Sequence, residues 1–282
     1  MAGGYFNDGT IHVELGAHAF ATPTALRRNV FLEPHSAPAT VLDSGGGVLE
    51  LTVTGQRLRA NLGDAERYAY EHFHSLATSD PGDLGVEDNL GNRAVFGDSV
   101  CIGAVAEIQA FRFVEMRTDW QSPSKSAEPA WGAIPAAPAT YPGTDTLQDY
   151  RAGGVQLGTF PVGMRIEMSR RFPLREIPRA RGSRARGPAA GAVIRFVVTG
   201  HALVTGQNLA DYLEALARSI GPRWVTLRAN GNVFDRVLLE SLRPTHTDSR
   251  ATDFEAEFVQ DVELGGVEQI TTTTETATTT GA

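Results

Sequence analysis

The side chains that could do chemistry here are few and scattered. The histidines are His12, His18, His35, His72, His74, His201 and His246, and the one thiol is Cys101. His72 and His74 lie two residues apart in a segment patterned as a helix, so they point to different sides and cannot clamp one metal ion. His12 and Glu14 can share a strand face, but two ligands without partners make no site. Cys101 falls in an apolar strand pattern and reads as a buried thiol. A single cysteine also excludes an intramolecular disulfide framework and a multi-thiolate metal centre. Ser44-Gly-Gly-Gly47 has the composition of a phosphate cradle, but a strand pattern follows where a cradle needs a helix N-terminus, so a hairpin turn is expected. Asp80, Asp83, Glu87 and Asp88 lack the spacing of an EF-hand and are expected in a solvated loop between helix and strand. No metal, cofactor or catalytic residue is expected from these patterns.

Val95-Phe-Gly-Asp-Ser-Val100 resembles the Gly-Asp-Ser block of the GDSL-type hydrolases, in which Ser99 would be the nucleophile. That family carries the block near the start of an α/β chain and an Asp-x-x-His element near its end. Here Arg243 stands three residues before His246, so the partner is missing. An enzyme remains the rival reading: a β-barrel hydrolase with its site between two units, which convergent carboxylates and His72 in a cleft would favour.

The elements that must position these residues follow from the whole chain. At 282 residues and 41% hydrophobic, it can fill one large core or two ordinary ones. Its 30 Gly and 15 Pro have no fibrous period and mark many turns. No apolar run approaches the length of a membrane span and the first residues lack a signal-peptide pattern, so a globular protein made without export is expected.

Two stretches repeat. Leu49-Glu-Leu-Thr-Val-Thr-Gly55 and Ile194-Arg-Phe-Val-Val-Thr-Gly200 are alternating strand patterns ending in Thr-Gly, offset by 145, and Leu58 and Leu203 keep that offset. A helix pattern follows each. Asp64 is the expected N-cap of the first, with Ala65, Tyr68, Ala69, Phe73 and Leu76 as its stripe. Asn208 caps the second, with Leu209, Tyr212, Leu213, Leu216 and Ile220, and Gly221-Pro222 closes it. Tyr68 and Tyr212, like Ser75 and Ser219, match at offset 144. Asn230-Gly231 is a hairpin signal before Phe234, parallel to Asn89–Asn92 before Phe96. Phe-rich strands from Phe111 and Phe254 end the copies, and strands at Asn29–Glu33 and Met164–Met168 open them. The expected class is α+β, mainly β: two tandem β-barrel or sandwich units, each with one docked helix. The units span 1–117 and 151–265, with a Pro/Ala-rich linker or arm at 118–150 and a Thr-rich tail at 266–282.

Charge divides unequally. Residues 1–150 hold 19 acidic and 9 basic side chains, net −10; residues 151–282 hold 14 and 16, net +2. Arg170, Arg171, Arg175, Arg179, Arg181, Arg184 and Arg186 crowd one segment, within which Arg179–Gly187 is patterned as a flexible basic hairpin tip. A nucleic-acid contact, a solvated loop and a contact onto an acidic neighbouring subunit are the three readings. The complementary charge of the other half favours the last, with Arg179, Arg181, Arg184 and Arg186 as interface residues. Trp120 and Trp131, large aromatics in the arm, are expected to pack on a neighbour.

A β-rich unit with one docked helix, repeated in tandem, resembles the tail-tube and baseplate proteins of tailed bacteriophages. Leu49–Gly55 with Asp64–Ala77, and Ile194–Gly200 with Asn208–Gly221, carry the resemblance. It implies a structural virion protein of the tail, assembled in the host cytoplasm, as tail tube, hub or distal-tail ring. It implies partners too: copies of itself in a ring of three or six chains, neighbouring tail proteins, and genomic DNA passing through the lumen without specific binding. No membrane is implied. The net charge of −8 suits a lumen that repels phosphate. A capsid or tail adaptor, or a decoration protein, is the structural alternative.

Overall fold

Alternating polar and apolar residues dominate the chain, and they form strands. The computed structural model describes residues 3–32, 41–87, 90–109, 112–123, 129–145, 150–158, 160–170, 176–178, 184–186, 191–203, 208–247, 251–263 and 265–269. Along 17–32, 41–47, 109, 160–162, 176–178, 184–186, 246–247 and 268–269 it describes the backbone. The first half holds β1 (Gly3–Asn7), β2 (His12–Leu32), β3 (Val41–Leu58), α1 (Leu62–Thr78), β4 (Gly82–Glu87), β5 (Arg93–Gln109) and β6 (Phe113–Pro123). The second holds β7 (Arg151–Ala152), β8 (Val155–Gln156), β9 (Phe160–Arg170), β10 (Glu176–Pro178), β11 (Arg184–Arg186), β12 (Ala192–Ala202), α2 (Leu209–Ile220), β13 (Val225–Ala229), β14 (Asn232–Thr247), β15 (Thr252–Asp261) and β16 (Val267–Gln269). The class is α+β, mainly β.

Both halves share one antiparallel sheet in the order β4-β1-β2-β3-β6-β5-β9-β12-β15-β14-β13-β7-β8, with β16 on β14. Because β4 also pairs with β5, the first-half strands form a closed circuit of hydrogen bonding. In the second half β7 stands on β13 as β1 stands on β4, but β8 pairs only with β7 among the described residues. β10 and β11 form a separate two-stranded hairpin.

The halves repeat each other down to their irregularities. Gly55 and Gly200 both lie at register shifts of the pairing with the opening strand. Asp98 and Arg236, 138 apart, both adopt positive φ (55° and 47°) where β5 and β14 bulge against β4 and β13. The next bulge falls between Cys101 and Gly103 in β5 and between Leu239 and Ser241 in β14, again 138 apart. Bulges bend and twist a strand, so equal placement gives the two quartets β2-β3-β6-β5 and β9-β12-β15-β14 the same local geometry.

Several expectations are corrected. α1 starts earlier than expected: Asn61 is its N-cap and accepts from the Asp64 amide at 2.8 Å. Asp64 sits in the first turn, where its carboxylate takes the Ala60 amide (2.9 Å) and the Arg59 guanidinium (2.7 Å). Asn208 does cap α2, but through its backbone carbonyl. Gly221 closes α2 at φ 76°. Asp83 and Glu87 fall within β4, which extends the closed circuit, while Asp80 stays exposed in the connection before it and Asp88 lies outside the described residues. Ser44–Gly46 is a bulge inside β3, between the pairs Asp43–Val30 and Gly47–Arg28, and not a turn. β6 runs through residue 118, so the segment expected as an arm begins as a core strand.

One continuous buried cluster spans both halves, from Phe6, Trp120 and Phe73 to Phe196, Phe234, Phe254 and Phe258. The Thr-Gly ends of the repeat serve close approach. A Cβ on Gly55 would stand 1.7 Å from the Leu15 carbonyl oxygen, which belongs to backbone and cannot step aside. Gly55→Ala should therefore cost more than the ordinary 0.5–3 kcal/mol of a point substitution, roughly 3 kcal/mol or beyond. Gly163→Ala, with open space around its Cβ, should be tolerated; urea unfolding of the two variants makes the comparison.

Candidate assembly interface and the charged sheet face

The joint between the halves is built from α1 outward. Gly103–Glu107 of β5 pair with Arg165–Ser169 of β9, and α1 lies over this seam in contact with β5, β6, β9 and β12. Its Tyr70 ring stands 5.2 Å from Phe234 and 5.9 Å from Phe196, inside the core of the second half. Burial pushes the Tyr70 and Tyr150 hydroxyls well above the ordinary tyrosine pKa. At the N-terminal end, the buried Glu66 carboxylate accepts from Tyr150 Oη and from Asn230 Nδ2 (2.9 Å), while Asn232 Nδ2 donates to the Gly63 carbonyl (2.9 Å). Asn230 and Gly231 form the two-residue turn between β13 and β14, with φ of 46° and 92°.

At the C-terminal end, Arg170 of β9 donates to the carbonyls of Leu76 and Ser79 and to the Ser79 hydroxyl. Those carbonyls have no intrahelical partner, and a cation there also suits the helix dipole. Burial lowers the pKa of this arginine. Arg170 opens the arginine-rich segment of the sequence, yet it is 7% exposed and works inside the fold.

Residues 129–145 form a strap over the same helix. Asp64 Oδ1 accepts the Tyr141 amide (2.7 Å), Arg59 reaches the Pro138 and Ala139 carbonyls, and the Thr144 amide donates to the Asn230 carbonyl (3.1 Å). Trp131 packs edge-on against Tyr5 at 5.3 Å, with the Arg93 guanidinium 4.9 Å from its ring centroid. It is thus held by its own chain and only half-buried. Trp120 is fully buried in β6 beside Phe6, its Nε1 donating to Thr118 Oγ1 at 2.7 Å. A side chain with no exposed surface has none to give a neighbour, which removes Trp120 from the expected interface set. Arg184 and Arg186 lie on β11, while Arg179 and Arg181 fall outside the described residues.

The opposite face of the sheet is charged. Both helices pack on the apolar face, Tyr70 against Phe196 and Tyr212 against Phe254. On the other face, over β3, β6, β9, β12, β15, β5 beyond Ser99 and β14 beyond Val237, Glu50, Glu107, Glu115, Asp119, Glu167, Glu240, Asp253, Glu255, Glu257 and Asp261 outnumber Arg117, Arg165, Arg195 and Arg243 among the described residues. Two of the arginines are drawn into cross-strand pairs, Arg195–Glu240 at 3.0 Å and Arg243–Glu257 at 2.7 Å, and two pair along their own strand, Arg165–Glu167 at 2.8 Å and Arg117–Asp119 at 3.4 Å. Over the β6-β5-β9 seam this face forms a depression of about 400 Å³, lined by Val105, Glu107, Glu115, Arg117, Arg165 and Glu167.

The residues of the enzyme reading do not converge between the halves. Ser99 is fully buried and its hydroxyl donates to the Phe96 carbonyl (2.8 Å), because the Gly-Asp-Ser block is the first bulge of β5. Burial pushes the Cys101 thiol up to about 12, so it is not a thiolate. His12, Glu14, Tyr68, Glu71, His72 and Tyr141 do line one cleft, within the first half, beside the strap. Its volume is about 90 Å³, well below the roughly 300–1,000 Å³ of small-molecule pockets. Glu14 there is engaged by Tyr68 Oη (2.7 Å), the Gly16 amide (3.1 Å) and Arg57. No group of three or more metal-ligating side chains occurs among the described residues. No protein-family model matches the sequence, and no curated protein matches it.

Two outcomes follow for stability. Arg170→Gln should cost roughly 3 kcal/mol in urea unfolding, since it takes the charged donor from the buried Ser79 carbonyl and leaves the Leu76 carbonyl with the Ser79 hydroxyl alone. His72 is buried, and desolvation lowers its pKa to about 4, against a smaller opposing pull from Glu14. Between that value and the ordinary 6.5 the unfolded chain binds a proton that the folded chain does not, so stability falls as pH drops through this window. His72→Gln should flatten that slope in denaturant titrations at pH 4.5 and 7.

Proposed function

We propose that this chain is a structural, ring-forming protein of a bacteriophage tail, in a tail tube, hub or distal-tail ring. The observation that carries the reading is the strand order β2-β3-β6-β5-β9-β12-β15-β14: two like quartets already joined side by side within one chain. The two ends of this run are open in matching ways. β2 beyond Ala17 pairs only with β3, and β14 beyond Val237 pairs only with β15, among the described residues. Open edges recruit further strands, so the seam made inside one chain can recur between chains and close a continuous barrel. Each quartet then counts as one subunit of a pseudo-sixfold ring of three chains.

The charged face becomes the wall of the bore. Its excess of carboxylates repels phosphate, which lets DNA pass without sticking. Leu58 and Leu203, at equivalent positions, are 64% and 63% exposed. The internal seam covers neither; on this reading both lie on a rim of the ring, where an adjoining ring or tail protein would cover them. With Arg184 and Arg186 on β11, the basic hairpin is the part that meets an acidic neighbour on this reading.

Light scattering with negative-stain imaging of the same fraction tests the reading. Rings or stacked tubes whose mass is a multiple of three chains are the expected result. A monomer at every concentration would remove it.

A further inference from the structure

Resting on that ring-forming reading, the grip of one copy on the next can be traced from contacts inside a single chain. The second half holds α1 through Arg170 at its C-terminus and Asn230 and Asn232 at its N-terminus. Among the described residues α2 has no comparable cover: it packs on β14, β8 and Phe254 of β15, and buries Leu216 and Ile220.

The first half carries a matching arginine. Arg28 pairs with Gly47 in β3 as Arg170 pairs with Ala192 in β12, and Gly47 and Ala192 are 145 residues apart, like Gly55 and Gly200. Arg28 thus holds in β2 the register position that Arg170 holds in β9. The 138-residue shift carries the seam segment Gly103–Glu107 onto Ser241–Thr245 of β14, and the partners in β3 and β12 carry Arg165–Ser169 onto residues 22–27 of β2. The helix offset of 144 carries Glu66 onto Ala210, and the 138-residue shift carries Asn230 onto Asn92, so the Glu66–Asn230 contact becomes Ala210–Asn92. Ala210 is exposed on the first turn of α2, and Asn92 lies in the exposed turn before β5, beside Leu90 at 87% exposure.

We propose that a second copy of this chain docks head to tail on α2. Its β2 edge brings the Arg28 position to the C-terminal end of α2 as β9 brings Arg170 to that of α1, and its 90–92 turn meets the α2 N-terminus. The occupant is a second copy because the complementary parts are in the chain itself. The open edges match in register, the arginine stands at the right rung, and the net −10 first half faces the net +2 second half. A head-to-tail contact of this kind closes a ring or runs on as a filament.

Arg28→Gln and the single variants Asn92→Cys and Ala210→Cys, all in the full-length protein, test this. Arg28→Gln should keep the melting temperature of the dilute monomer and raise the concentration for half-assembly about tenfold or more. Mixing the two cysteine variants with a short bis-maleimide should give a crosslinked dimer that neither gives alone. Self-crosslinking of either variant alone would indicate a symmetric contact and overturn the proposal. Normal assembly of Arg28→Gln, or an assembled mixture without crosslinks, would overturn this junction while leaving the ring. A wild-type chain that stays monomeric would overturn both.

Discussion

The structure depends on one helix laid across one seam. α1 grows out of the first half, yet its two ends are satisfied by the second: Arg170 takes its last carbonyls, and Asn230 and Asn232 hold its first turn. A helix end buried without partners would cost several hydrogen bonds' worth of desolvation. Pulling the halves apart would expose those groups together with Tyr70, which sits among Phe196 and Phe234. Backbone pairing of β5 with β9 sets the register, and α1 makes the joint non-separable. The strap adds to this by running from the Arg59–Asp64 ion pair of the first half to the Asn230 turn of the second.

The two faces of the sheet follow from the period of two along each strand. In β15 the residues Phe254, Ala256 and Phe258 point into the core while Asp253, Glu255 and Glu257 point away. β9 does the same with Met164, Ile166 and Met168 against Arg165 and Glu167. Individually the exposed cross-strand ion pairs contribute little to stability. Their collective effect is the sign of the field: arginines neutralise some carboxylates, and the remainder leaves the face acidic.

Much of the fold was legible in the sequence where local chemistry decides it. The paired Thr-Gly strands, the two helix stripes and the Asn230-Gly231 turn all fell where the patterns put them, because period, caps and turn residues act within a few positions. β4 was hidden, since Gly82–Glu87 carries acidic residues typical of a loop and becomes a strand only between β1 and β5. Trp120 read as an arm residue because Pro123 and the small residues beyond it dominate the composition there. Its burial comes from β3 and β1, which are distant in sequence. The Gly-Asp-Ser block looked chemical because its bulge holds Asp98 at positive φ between a glycine and a serine, residue types that also surround a nucleophile.

By itself the sequence determined that there are two similar β-rich halves, with a helix in each and charge divided between them. Those properties reside in composition and short-range periodicity. Only the tertiary structure decided that the halves share one sheet, which strand edges stay open, and that Arg170 is a buried helix cap while its sequence neighbours are not. These depend on which strands meet across more than a hundred residues, and no local pattern encodes that. The correspondence of Arg28 with Arg170 shows the division well. Two arginines with different local sequences occupy one structural position, and only the register of their partner strands makes them equivalent.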